Sequence, residues 1–145
     1  MRIIIAVLTA LCASQAYAVC EGSKTLFFCN TQKGGKQIIV CDSGKTIDYS
    51  FGKAAKPDVA VKVARDLAST RQWDGMGGSM SYSVDIPNKS AVYNVFWSAN
   101  RNDDAHGIDA GVNVFVDKKL KATLKCNEKD LVNNIEGVQL KPTTD

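Results

Sequence analysis

The chain predicts an all-β protein, an antiparallel β-sandwich or barrel of about eight strands stapled by disulfides. Three observations predict it. Apolar residues recur at every second position in one run after another, the period of a strand with one buried face. Turn-forming clusters punctuate those runs at short intervals. Four cysteines, Cys20, Cys29, Cys41 and Cys126, follow an apolar leader.

The leader sets the compartment. Arg2 supplies a positive start, Ile3 to Ala13 an apolar stretch, and Ala16-Tyr17-Ala18 a small-residue cleavage site, the three parts of an export signal. Residues 1–18 are expected to be a cleaved signal peptide, residues 19–145 a single β domain beginning at Val19, and the destination the periplasm. The apolar stretch is too short to span a bilayer. Leu11 before Cys12 and Val19 before Cys20 are bulky where a lipid-modified cysteine follows a small residue, so no stable membrane anchor is expected. In an oxidising compartment an even cysteine count implies two disulfides, with three connectivities open. We favour Cys29 with Cys126 and Cys20 with Cys41. Zinc fits poorly, because no C-x-x-C pair exists and His106 is the only histidine.

The elements follow in order. Leu26 to Cys29 and Ile38 to Cys41 flank Lys33-Gly34-Gly35, a hairpin loop where glycine permits positive φ. After the turn Asp42-Ser43-Gly44, Ile47, Tyr49 and Phe51 alternate with Asp48 and Ser50. Pro57 to Leu67 fits either a helix begun at proline or a strand; its β-branched valines favour strand. Met80, Tyr82, Val84 and Ile86 form the next strand, and Pro87-Asn88-Lys89 turns the chain. Ala91, Tyr93, Val95 and Trp97 share one face while Val92 and Phe96 add apolar residues to the other, which predicts a central strand covered on both sides. Val112, Val114 and Val116 then pair through Asp117-Lys118-Lys119 with a strand whose Leu120, Ala122, Leu124 and Cys126 face inward. Asp130 to Ile135 suggests a short helical turn, and Lys141 to Asp145 a frayed end.

Loss of the leader leaves 127 residues, enough for one core. The remaining 17 basic and 15 acidic side chains balance to +2, and the lysines are scattered. No basic arm for nucleic acid is present.

Groups able to carry chemistry are few. Paired cysteines offer no thiol nucleophile, and no nucleophile-elbow motif accompanies His106. If Gly107 is aligned with the glycine of a calcium-binding loop, Asn113 falls where the bidentate glutamate is needed, and the match fails. No catalytic residue, metal or cofactor is expected. Two loops stand out instead. Arg71-Gln72-Trp73-Asp74-Gly75-Met76-Gly77-Gly78 sets a tryptophan and a methionine among three glycines, and Ser98 to Ala110 carries Arg101, Asp103, Asp104 and His106. Tryptophan and arginine are enriched among interface anchors. Trp73 either plugs one end of the core or faces a partner. The expected partner-binding set is Arg71, Trp73, Asp74, Met76, Arg101, Asp103, Asp104 and His106.

Together the leader, an early-strand cysteine, a series of alternating strands and a last strand ending Leu124-Lys125-Cys126 resemble small periplasmic inhibitors: bacterial lysozyme inhibitors, and immunity proteins against type VI secretion effectors that attack peptidoglycan. Ser90-Ala91-Val92-Tyr93 before Phe96-Trp97-Ser98 is similar to the lysozyme-inhibitor pattern, with Ala91 in place of its glycine. Common lysozymes are basic and would select an acidic inhibitor, so a slightly basic chain favours immunity. The resemblance implies a non-catalytic monomer or homodimer that inhibits a peptidoglycan-active toxin or hydrolase. A structural or glycan-binding module of the envelope is the alternative non-enzymatic reading. A glycan hydrolase acting through Asp103 or Asp104 is the enzymatic one.

Overall fold

The computed structural model describes residues 19–102, 104 and 107–145; the leader lies outside this set, as do Asp103, Ala105 and His106. Eight strands of six or more residues carry the architecture: β1 (Lys24–Asn30), β2 (Gln37–Asp42), β3 (Thr46–Lys53), β4 (Lys56–Ala64), β6 (Ser79–Asn88), β7 (Ala91–Asn100), β8 (Ile108–Val116) and β9 (Lys119–Lys125). Three short strands, β5 (Ser69–Arg71), β10 (Val132–Asn133) and β11 (Lys141–Pro142), complete them. They form two sheets, β10-β1-β2-β3-β4 and β11-β5-β6-β7-β8-β9, packed as a sandwich. All pairings are antiparallel except β11 with β5.

The period-2 alternation translates directly into the core. Ile38, Val40, Ile47 and Tyr49 of the first sheet meet Tyr82, Val84, Ile86, Val95 and Val112 of the second, all buried. Tyr49 and Tyr93 stack across the interface with ring centroids 4.6 Å apart. Burial, then the neighbouring Tyr93, holds the Tyr49 phenol well above its ordinary pKa. The segment from Pro57 is strand as far as Ala64, and Leu67 beyond it is 55% exposed.

Cys20 pairs with Cys41 and Cys29 with Cys126. The first staple ties the start of the described chain to β2 within one sheet. The second joins β1 to the residue just after β9, so it links the two sheets rather than two strands of one. Such bridges suit an oxidising compartment, periplasmic or extracellular. Among the described residues no helix is long and apolar enough to cross a membrane.

Several expectations need correction. No helical turn forms over 130–135; Val132 and Asn133 pair with Phe28 and Phe27 of β1, and Ile135 is fully buried. Asn134 donates its amide to the Leu26 carbonyl, a partner that a helix would forgo. Lys141 to Asp145 is not frayed, since Lys141 and Pro142 pair with Ser69 and Thr70, and the Thr143 amide donates to the Thr70 carbonyl. The chain from residue 127 onward thus laces first one sheet and then the other. β9 is an edge strand, and its supposed inner face is mostly open: Leu120 is 56% exposed, Ala122 is exposed, and only Leu124 and Cys126 reach cover. Its lysines guard the unpaired edge against strand addition. The two hairpin turns are tighter than expected. β6 runs to Asn88 so that Lys89-Ser90 turns alone, and Asp117-Lys118 turns β8 into β9 with both φ positive, the mirror-image turn that matches strand twist.

Candidate functional site

One end of the second sheet carries the loop from β5 to β6 and the loop from β7 to β8. The β6–β7 register, with Ser79 opposite Asn100, brings them side by side. The first is built as a finger. Asp74 Oδ1 accepts the Met76 amide at 2.9 Å, and the Trp73 indole N–H donates to the Met76 carbonyl at 2.7 Å. Gly75 and Gly77, at φ 88° and 85°, let the backbone reverse on either side of Met76. Gln72 anchors the base: its amide nitrogen donates to Thr70 Oγ1 and the Ile135 carbonyl, and its oxygen accepts the Gly137 amide.

The second loop braces the first. The Arg101 amide donates to the Gly78 carbonyl at 2.8 Å, and its guanidinium carbon stands 4.9 Å from the centre of the Trp73 ring, a contact worth about 0.5–1 kcal/mol at an exposed site. Gly78 lets Asn102 approach closely, because a Cβ there would lie 2.4 Å from the Asn102 side-chain amide and push it aside. Trp73 is half-buried against the core with its N–H satisfied and one ring face covered, so it forms the pedestal. Met76 at the tip is 73% exposed, the most exposed large apolar side chain of the described chain.

The structure therefore divides the expected set. Trp73, Asp74, Met76 and Arg101 come together, and Asp104 is exposed in the adjoining loop. Arg71 does not join them: it points from β5 onto the outer face of the second sheet, where it bonds Asp145 at 2.6 Å. Asp103 and His106 fall outside the described residues. Of the residues behind the resemblance, Ser90 sits in the hairpin at the opposite end and Tyr93 is turned inward onto Tyr49. Gln72, Gly78 and Asn102 were not singled out. Gln72 and Gly78 lay inside the quoted loop, but what they touch follows only from the fold: the segment after β10 brings Ile135 and Gly137 to Gln72, and the pairing of β6 with β7 brings Asn102 to Gly78. Among the described residues no group of three or more His, Cys, Asp or Glu side chains is placed to hold a metal ion. What the arrangement offers is shape: a fixed, weakly charged, apolar-tipped projection. No protein-family model matches the chain, and no curated protein or solved structure shows significant similarity to it.

Proposed function

We propose that this chain is a periplasmic binding protein that inhibits a peptidoglycan-targeting enzyme, acting as an immunity protein does towards its toxin, by inserting the Met76 finger into the enzyme's cleft. The observation that carries the reading is the exposed Met76 on a loop whose backbone is already held by Trp73, Asp74, Gln72 and Arg101. A projection fixed before contact loses little entropy on docking, and methionine adapts its unbranched side chain to an apolar pocket. The choice of enzyme class rests on the resemblance to periplasmic inhibitors. Net charge near zero fits a partner that is neither strongly basic nor strongly acidic.

The test is inhibition. Purified protein is added to muramidases and cell-wall amidases digesting peptidoglycan, and the expected result is stoichiometric block of at least one of them. Met76→Ala should weaken that block by about thirtyfold, the equivalent of 2 kcal/mol lost at a central anchor. Trp73→Ala should weaken it too, through collapse of the pedestal. No inhibition across the panel, equal inhibition by the Met76 variant, or release of fragments by the protein alone would each overturn the proposal.

A further inference from the structure

The outer face of the second sheet carries a structure that neither the core nor the finger requires. Thr123, Asn113, Asn94, Asp85 and Ser69 occupy one register row across β9, β8, β7, β6 and β5, and their side chains are bonded in sequence. Thr123 Oγ1 donates to Asn113 Oδ1 at 2.8 Å, Asn113 Nδ2 to Asn94 Oδ1 at 3.3 Å, and Asn94 Nδ2 to Asp85 Oδ1 at 2.6 Å. Thr143 Oγ1 donates to Asp85 Oδ2 at 3.1 Å and lies 2.9 Å from Ser69 Oγ. Water would satisfy these groups individually. Linked, they fix both amide planes and leave each asparagine one N–H and one carbonyl lone pair for a ligand.

Beside the ladder lies a shallow depression of about 310 Å³ whose walls include Arg71, Ser83, Asn94, Phe96 and Ser98. The Phe96 ring is steadied from β9 by Lys125, whose ammonium stands 5.2 Å from the ring centre and bonds Asp109 at 2.5 Å. Tyr82 and Trp97 border it from behind, their side chains packed into the core. The side chains turned towards the depression are the Phe96 ring, hydroxyls, an amide and a single guanidinium, and no carboxylate lines it. An apolar ligand would strip water from those hydroxyls without replacing their bonds, and one arginine is too little charge to hold a nucleic acid. A pyranose ring matches: its C–H face packs on an aromatic ring while equatorial hydroxyls or acetamido groups bond along the edge.

We propose that this face binds a glycan strand, with one sugar over Phe96 bonded to Asn94, Ser83 and Ser98, and the next directed along the ladder towards Asn113. Arg71 stands at the rim with Asp145, an ion pair 57% and 92% exposed. Such an exposed pair is weak, and it yields to a carboxylate carried by the glycan. The assignment stands apart from the finger, because no residue is shared.

Titration calorimetry with the hexamer of N-acetylglucosamine and with soluble glycan strands cut from peptidoglycan tests it. Binding of the intact protein to at least one probe is expected, with Phe96→Ala and Asn94→Ala each weakening it by about tenfold or more and Met76→Ala leaving it unchanged. Ser81→Arg, a substitution at an exposed position of β6 that also lines the depression, should abolish binding while keeping the melting temperature, so the test survives if the other variants misfold. Absence of binding to both probes at millimolar concentration overturns the proposal, as does full binding by Ser81→Arg. Inhibition without glycan binding would remove this face alone, and glycan binding without inhibition would remove the finger alone.

Discussion

The two sheets turn equivalent rows of side chains outward and hold them by different forces. On the first sheet the row Val132, Phe28, Ile39, Ser50 and Ala60 is largely apolar, flanked by Cys41, Asp48 and Lys62. On the second the row is the chain of amides, hydroxyls and a carboxylate ending at Thr123. Packing tolerates exchange among apolar side chains of similar volume, whereas a directional bond specifies both of its partners. The first face is thus replaceable in detail and the second is not. The projecting loops belong to the same sheet as the ladder, which makes the second sheet the one that presents and the first the one that supports.

The largest effect should come from breaking the link between the sheets. Replacing Cys29 and Cys126 by alanine frees a loop closed over 97 residues, against 21 for Cys20 and Cys41. The chain-entropy treatment gives about 4.7 and about 3.3 kcal/mol for the two losses. Urea titrations of the two double variants should rank them in that order. A reversed ranking would mean that the sheets hold together without their staple. A smaller contrast sharpens the comparison of faces: Asn94→Leu strands its bonding partners on Asp85 and Asn113 and should cost about 1–3 kcal/mol, while Phe28→Leu on the opposite face should cost less than about 1.5 kcal/mol. Equal losses would show that the ladder is only a solvated surface.

The smallest effects should come from pH, through two groups that both belong to the first sheet. Asp42 is opposed by burial, but hydrogen bonds from Arg65 and the Gly44 amide, with the charges of Arg65 and Lys24, outweigh it and hold the carboxyl below its ordinary pKa. A depressed folded value means the contribution is whole above the unfolded value of about 3.9 and is lost as pH falls through the folded one. Asp42→Asn should flatten the acid limb of thermal stability. Tyr49 acts with the opposite sign: its phenol is raised, so its contribution holds below about pH 10 and drains above it, and Tyr49→Phe should blunt the alkaline loss.

Much of this fold was legible, and the gaps have physical causes. Alternation identifies which residues share a face, and it placed Ile47, Tyr49, Val84 and Val95 in the core. It carries no information on how far the opposite sheet extends, which is why Leu120 and Ala122 read as buried although β9 overhangs the sandwich. β10 and β11 have two residues each, too few for any period to register, and only their partners β1 and β5 define them. At the finger, Trp73 and Met76 were visible as large side chains among glycines. Their division into pedestal and tip depends on Arg101, which the β6–β7 hairpin brings from 28 positions away. The ladder escaped notice because Asn94 and Asn113 read singly as ordinary solvent-facing residues, and their significance is a matter of register.

The lacing of the chain beyond residue 126 constrains the order of assembly. β1 has no partner on one side until Val132 arrives, Cys29 must wait for Cys126, and β5 remains an open edge until Lys141 is in place. The decisive cross-link joins residues 97 positions apart, so it can close only after all of the chain between them has been synthesised. Completion of the sandwich is therefore timed by its last segments, and a nascent chain so arranged keeps two sheet borders unsealed until residues 132–142 are available to close them.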